Sequence, residues 1–374
     1  MSHARIVAFC LLNILLLTFT AAVYADDGKK KYAVDKVKGD LSVMVLGSGG
    51  PVATEQGRAS AGYLIFVDGE PKILMDAGGG TYQRLAQSGT DIKDLDIILL
   101  SHLHIDHMGD LSPIIKTMYF HNRASNIVDG SFPNGREAPF RVFGPNTNNV
   151  KFPPPPPLPV PLSPADPDLP QYPATSEYVD GHYDLNIGLE RYLHVFTQAI
   201  SGGIFKYETT DISPNWTVYN PYTFEENGLV IKAVGVNHGP VPSLAFRIEY
   251  KGKTIVYSGD TSSRSTLMDG TPLANGGNMV EISEGADLLI YDTAIMDDEP
   301  NSSPRDAVFF ALHTTPSRIG QVAEAANVKQ VLLSHLTRVT QDRTPEIKQL
   351  IRAQGYRGKI KAAEDLQVIN LRGH

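Results

Sequence analysis

The chain has 374 residues, 42% apolar and 20% charged, an ordinary globular composition with ample length for a sizeable core. A formal net charge of -8 argues against a protein built to hold polyanions such as nucleic acid. The one cysteine, Cys10, sits in an N-terminal apolar stretch, so the remainder has no disulfide framework, and metal ligands there must be His, Asp or Glu.

Residues 1–25 read as an export signal. Arg5 provides the positive start, Ile6 through Leu17 the apolar stretch interrupted by Asn13, and Val23-Tyr24-Ala25 the cleavage region. The apolar run is short for a transmembrane helix, so no stable membrane anchor is expected. The exported product would be periplasmic or secreted. Residues 26–40, polar and lysine-rich, read as a flexible lead-in, and residues 41–374 read as one large domain. Leu41 to Leu46 alternates as a strand. Tyr63–Val67 and Ile73–Met75 form a hairpin around Asp68-Gly69-Glu70-Pro71. A short helix follows over Thr81–Gln87. Leu95–Leu100 is a continuous apolar run, as in a strand covered on both faces. A helix is expected from near Asp110 to Phe120.

Regular patterning then lapses across residues 121–222, an insertion-containing region. It holds a strand and turn at Arg141–Pro145 and five consecutive prolines at Pro153–Pro157. A helix is expected on the spacing of Leu185, Leu189, Leu193, Phe196 and Ile200. Strands resume at Leu229–Val236, Leu244–Tyr250, Thr254–Tyr257, Leu288–Tyr291, Val331–Leu333 and Gln367–Leu371. Helices begin at Thr315-Pro316 and Thr344-Pro345. Strands grouped in each half, with helices after them, predict two β-sheets packed face to face with helices outside.

The chemistry concentrates in Ser101-His102-Leu103-His104-Ile105-Asp106-His107, directly after the Leu95–Leu100 run. His102 and His104, two apart, face the same way on extended chain and can grip one ion. Asp106 and His107 turn the corner toward a second. More ligands stand just past other apolar strands: His238, Asp260 and His335. Asp260 has two oxygens with which to bridge a pair of ions. Nitrogen and carboxylate donors without sulfur suit Zn²⁺, and also Mn²⁺ or Fe. Two bridged ions activate water for hydrolysis without a side-chain nucleophile, and Asp106 could both bind metal and orient that water.

The H-x-H-x-D-H loop resembles the metallo-β-lactamase superfamily. Leu46-Gly47-Ser48-Gly49-Gly50-Pro51, Asn237 to Ser243, Tyr257 to Thr261, Gly285 to Ile290, His313-Thr314-Thr315 and Ala363-Glu364-Asp365 are similar to its ribonuclease Z and arylsulfatase-like branch. The resemblance implies an α/β fold, a four-layer αβ/βα sandwich carrying the proline-rich insertion. It implies that His102, His104 and His238 hold one divalent ion, that Asp106, His107 and His335 hold the other, and that Asp260 lies between. It gives Asp76 a supporting role behind the ligands and makes His313, with Asp106, catalytic, as a proton donor to the leaving oxygen. Three departures stand out: the export segment, Ile105 in place of a glycine, which is expected to narrow the space near the metals, and Asp292 in place of a glutamate.

These departures favour a small-molecule ester substrate, a sulfate ester or phosphodiester such as an aryl sulfate or cyclic nucleotide. Lactone or β-lactam hydrolysis is the alternative, then ribonuclease Z-like RNA processing, then a non-catalytic binding module on the same fold. A homo-oligomer is left open. Tyr119 and Phe120 are candidates for the pocket wall.

Overall fold

The computed structural model describes residues 31–92, 95–118, 138–150, 171–194, 205–262, 278–297 and 304–371. Residues 1–25 (read as an export signal), the first third of the lead-in, Tyr119, Phe120 and the five-proline run lie outside these residues; the rest of the lead-in includes a short 3-10 turn at Val34–Lys36. Two seven-stranded sheets form. The first contains β1 (Leu41–Gly47), β2 (Gly62–Val67), β3 (Glu70–Ala77), β4 (Ile97–Leu99), β5 (Phe140–Pro145), β6 (Tyr207–Ile212) and, at its edge beside β1, β14 (Val368–Leu371). The second contains β7 (Tyr222–Glu226), β8 (Leu229–His238), β9 (Val241–Tyr250), β10 (Lys253–Tyr257), β11 (Leu288–Asp292), β12 (Gln330–Ser334) and β13 (Lys359–Ala362). Each sheet begins as an antiparallel meander and continues with parallel strands.

The period of two decides the layering. Val43 and Val45 of β1 join Ile65, Ile73, Ile97, Ile231, Phe246, Ile255 and Ile290 in one core between the sheets. Their neighbours Met44 and Leu46 face the other way, with Leu74, Ile98, Leu85 and Ile114, under the helices of the first half. A third core packs Val256, Leu289 and Leu333 against Ile319, Val322, Ile347 and Ile351 of the C-terminal helices. Three cores separating four layers make the α/β sandwich. Among the described residues no helix is long and apolar enough to cross a membrane.

Of the helix expected across Leu185–Ile200, residues 185–191 are not helical and helix is present at 192–194, the last residues described there. The helix before this span is Thr175–Tyr183. It stops because the Asp184 carboxylate accepts the backbone N–H groups of Asn186 and Ile187, at 2.8 and 3.0 Å, a local turn that competes with helix continuation. Leu185 and Leu189 are consequently exposed, while Leu193 is buried; Phe196 and Ile200 lie outside the described residues. The region read as irregular supplies β6, and β7 begins at its end. Both are edge strands with the polar sequences Tyr-Glu-Thr-Thr-Asp-Ile and Tyr-Thr-Phe-Glu-Glu. Edges tolerate charge and lack the apolar pattern of central strands. The helix Pro304–Leu312 and strand β13 were also not expected from patterning.

Candidate metal centre

Strands β3, β4 and β5 run parallel, so their C-terminal ends share one edge. His102 and His104 leave β4 on extended chain, and His104 is the residue before the short helix Ile105–Met108, which carries Asp106 and His107. The second sheet delivers His238 at the end of β8, Asp260 just past β10, Asp292 at the end of β11 and His335 just past β12. His313 enters between the helices Pro304–Leu312 and Pro316–Ala325.

These side chains converge as three overlapping groups: His102, His104 and His238; Asp106, His107, Asp260 and His335; and Asp260, Asp292, His313 and His335. In the first, His104 Nδ1 stands 3.0 Å from His102 Nε2 and 3.5 Å from His238 Nε2. In the second, His335 Nε2 lies 3.2 Å from Asp106 Oδ2 and 3.3 Å from Asp260 Oδ2. His107 Nε2 is 3.4 Å from each of those carboxylates. Ligands placed about 2.0–2.1 Å from a tetrahedral ion stand roughly 3.3 Å apart, so both groups have the spacing of a coordination shell. Asp260 Oδ2 lies 3.9 and 4.0 Å from Nε2 of His102 and His238, between the two groups. His107 Nε2 and Asp260 Oδ1 are buried without hydrogen-bond partners. Such groups are costly to bury unmatched, and a divalent cation satisfies them.

The far sides of His107 and His238 are anchored. Asp76, fully buried, accepts hydrogen bonds at 2.7 Å from His107 Nδ1, the Ser101 N–H, the Ser101 hydroxyl and the Tyr257 hydroxyl. One carboxylate thereby ties both sheets together behind the site and leaves His107 Nε2 free to face an ion. His238 Nδ1 donates to the Leu312 carbonyl at 2.8 Å, with the same result. Asp76 and His335 adopt left-handed backbone, φ 51° and 56°, a strained geometry characteristic of functional positions. Gly78 of the Asp76 segment has no room for a side chain: a Cβ there would lie 1.9 Å from the Asp106 carbonyl oxygen.

Electrostatics divide the cluster. Burial pushes His102 well below its ordinary value and His238 down to about 3, leaving neutral imidazoles, the form that ligates metal. Burial also opposes a charged His335, but Asp260, Asp106 and Asp292 outweigh it and lift that residue to about 10. His107 is raised in the same way, against burial, by Asp260, Asp106 and Asp76. Imidazolium charge thus balances buried carboxylates at this end. A divalent cation does the same and displaces those protons.

Asp292 carries more than its appearance as a substitution suggested. Its Oδ2 accepts from His313 Nδ1 at 2.8 Å, and its Oδ1 lies 3.4 Å from His335 Nδ1. It stands at the end of a buried strand, the position that singled out His238, Asp260 and His335. Ile105 does not narrow the site. It is 71% exposed on the outer face of its helical turn, because Asp106 and His107 take the inward positions.

The metallo-beta-lactamase superfamily profile matches residues 57–298. A Ribonuclease Z from Mycobacterium bovis (strain BCG / Pasteur 1173P2) is 25% identical over 338 residues, covering 88% of this chain and 98% of the relative. A Ribonuclease Z from Methanosarcina acetivorans is 24% identical over 330 residues, covering 82% and 92%. The fold is similar to that of the short form of human tRNase Z, with a TM-score of 0.54 and 20% identity, covering 88% of this chain and 98% of that one. It is also similar to zinc-bound PqqB from Methylobacterium extorquens, with a TM-score of 0.52 and 15% identity, covering 88% and 100%. With the fold, the convergent His/Asp cluster and a profile match over more than half its length, this chain belongs to the metallo-beta-lactamase superfamily.

Proposed function

We propose that the protein is a metal-dependent hydrolase of small phosphodiesters. The observation that carries this reading is Asp260 between two groups of ligands, each spaced as a coordination shell. Two divalent ions, zinc foremost, supply a water of lowered pKa and positive charge for the ester oxygens. His102, His104 and His238 would hold one ion and Asp106, His107 and His335 the other, with Asp260 within reach of both groups. Asp106 also orients the attacking water. His313, its Nδ1 held by Asp292, keeps Nε2 as the nitrogen that protonates the leaving oxygen. Asp76 positions His107.

A phosphodiester is favoured over a sulfate ester because the curated relatives are named as ribonucleases, which cleave phosphodiester bonds. A small substrate is favoured over RNA by the net charge of -8 and by the export signal read in residues 1–25. Hydrolysis should be measured side by side on an aryl phosphodiester, a cyclic nucleotide, an aryl sulfate, a lactone and a precursor transfer RNA, with Zn²⁺ or Mn²⁺. The expected result is turnover of the small diesters, lost on chelation and restored by metal. Turnover confined to the sulfate, the lactone or the RNA would overturn the substrate assignment.

A further inference from the structure

A cavity of about 390 Å³ is lined by Gly239, the residue after His238, a volume within the roughly 300–1,000 Å³ of small-molecule sites. Its position follows from topology. β4, β5 and β6 run parallel, so the segments leaving β5 and β6 open at the same edge as the His102 loop. Asn148 and Asn149 come from the first segment, Asn215 and Trp216 from the second. Gly239, in the turn directly after His238, and Val241, the first residue of β9, also line the cavity.

The walls are built rather than incidental. Asn278, 2% exposed, donates its side-chain N–H groups to the carbonyls of Gly235 at 2.9 Å, Val218 at 3.3 Å and Asn215 at 3.4 Å. That pins the Trp216 segment onto β8. Gly235 allows the contact, since a Cβ there would come within 2.3 Å of the Pro214 backbone. Asn148 Nδ2 donates to the Pro240 carbonyl at 2.8 Å, fastening the other wall to the His238 turn. Among the described residues no Asp, Glu, Lys or Arg lines the cavity; Trp216 lines it with amide and hydroxyl side chains and the apolar Val236, Val241 and Pro242.

Resting on the phosphodiester reading, we propose that this cavity is the specificity subsite for the substrate's neutral flat ring, a nucleobase or similar heterocycle, while the anionic diester sits at the ligand cluster. A wall without cationic side chains offers no charge to pair with a phosphate. An indole face stacks on a ring, and amides match its hydrogen-bonding edges.

Trp216 is the only tryptophan in the chain, so intrinsic fluorescence reports occupancy of the cavity without turnover. The full chain is titrated with adenosine, adenosine 5′-monophosphate and ribose 5-phosphate. Saturable quenching by the two base-bearing compounds and none by the sugar phosphate is expected. No quenching, or equal quenching by ribose 5-phosphate, would overturn the proposal. For a nucleotidyl diester, Trp216→Ala should raise KM roughly tenfold with kcat little changed, and Trp216→Phe should restore most of the loss. Equal effects of both variants would also overturn it. Quenching without any diester turnover would leave the subsite standing and remove the hydrolysis reading; turnover without quenching would do the reverse.

Discussion

The two halves of the ligand cluster are assembled from different materials. The group of His102, His104 and His238 contains only imidazoles, made neutral by burial. The group of Asp106, His107, Asp260 and His335 concentrates buried carboxylate charge, with Asp292 close behind. Neutral donors hold together whether or not a cation is present. Buried carboxylates do not, because each needs a compensating charge, and without an ion the imidazoles must carry protons. The carboxylate-rich group therefore depends more strongly on metal, and Asp260 couples the two.

Replacing Asp260 with Ala should break the comparison altogether. With the shared oxygen gone, elemental analysis should find the second ion missing, and hydrolysis should fall by roughly 10³-fold or more. Undiminished stoichiometry and rate would remove Asp260 from the bridging position. A paired experiment separates the groups. Asp106→Ala should empty the carboxylate-rich group and His104→Ala should weaken the other, each leaving about one ion per chain and a rate roughly 10²- to 10³-fold lower. The same ion lost from both variants, detected by cobalt substitution and absorption spectroscopy, would mean the groups are not separate.

A smaller effect is expected at the flank. His313→Ala should slow hydrolysis by roughly 10²-fold, most for substrates with poor leaving groups. Asp292→Asn should act in the same direction but by about 10-fold, since the ring remains while its anchor weakens. A loss independent of leaving-group pKa would rule out proton donation. The smallest effect belongs to Ile105→Gly. An exposed side chain outside the cluster should change kcat/KM by less than about threefold and stability by about 1 kcal/mol or less. A large gain in rate would instead restore the idea that Ile105 crowds the site.

Reading the sequence alone works where chemistry is local. The ligands from His102 to His107 fall within one short segment after an apolar run, and β1, β2, β8 and β9 announce themselves by apolar patterning. Strand-end position then reaches His238, Asp260 and His335. The same rule applied evenly would have reached Asp292, which was read only as a departure from a resemblance. Edge strands β6, β7 and β13 escaped notice because partial exposure leaves them polar.

By itself, then, the sequence pointed to the layered sandwich, through grouped strands and residue alternation, and to a candidate ligand set, through the density of His and Asp at strand ends. Only the tertiary structure decided that Asp76 and the Leu312 carbonyl orient imidazoles from distant elements, that Asp292 holds His313, that Ile105 turns outward, and that loops after β5 and β6 wall a cavity around Trp216. The physical reason is separation along the chain. Asp292 and His313 stand 21 positions apart, and His238 and Leu312 stand 74 apart. Contacts over such spans are specified by how sheets and helices pack, which no local pattern encodes.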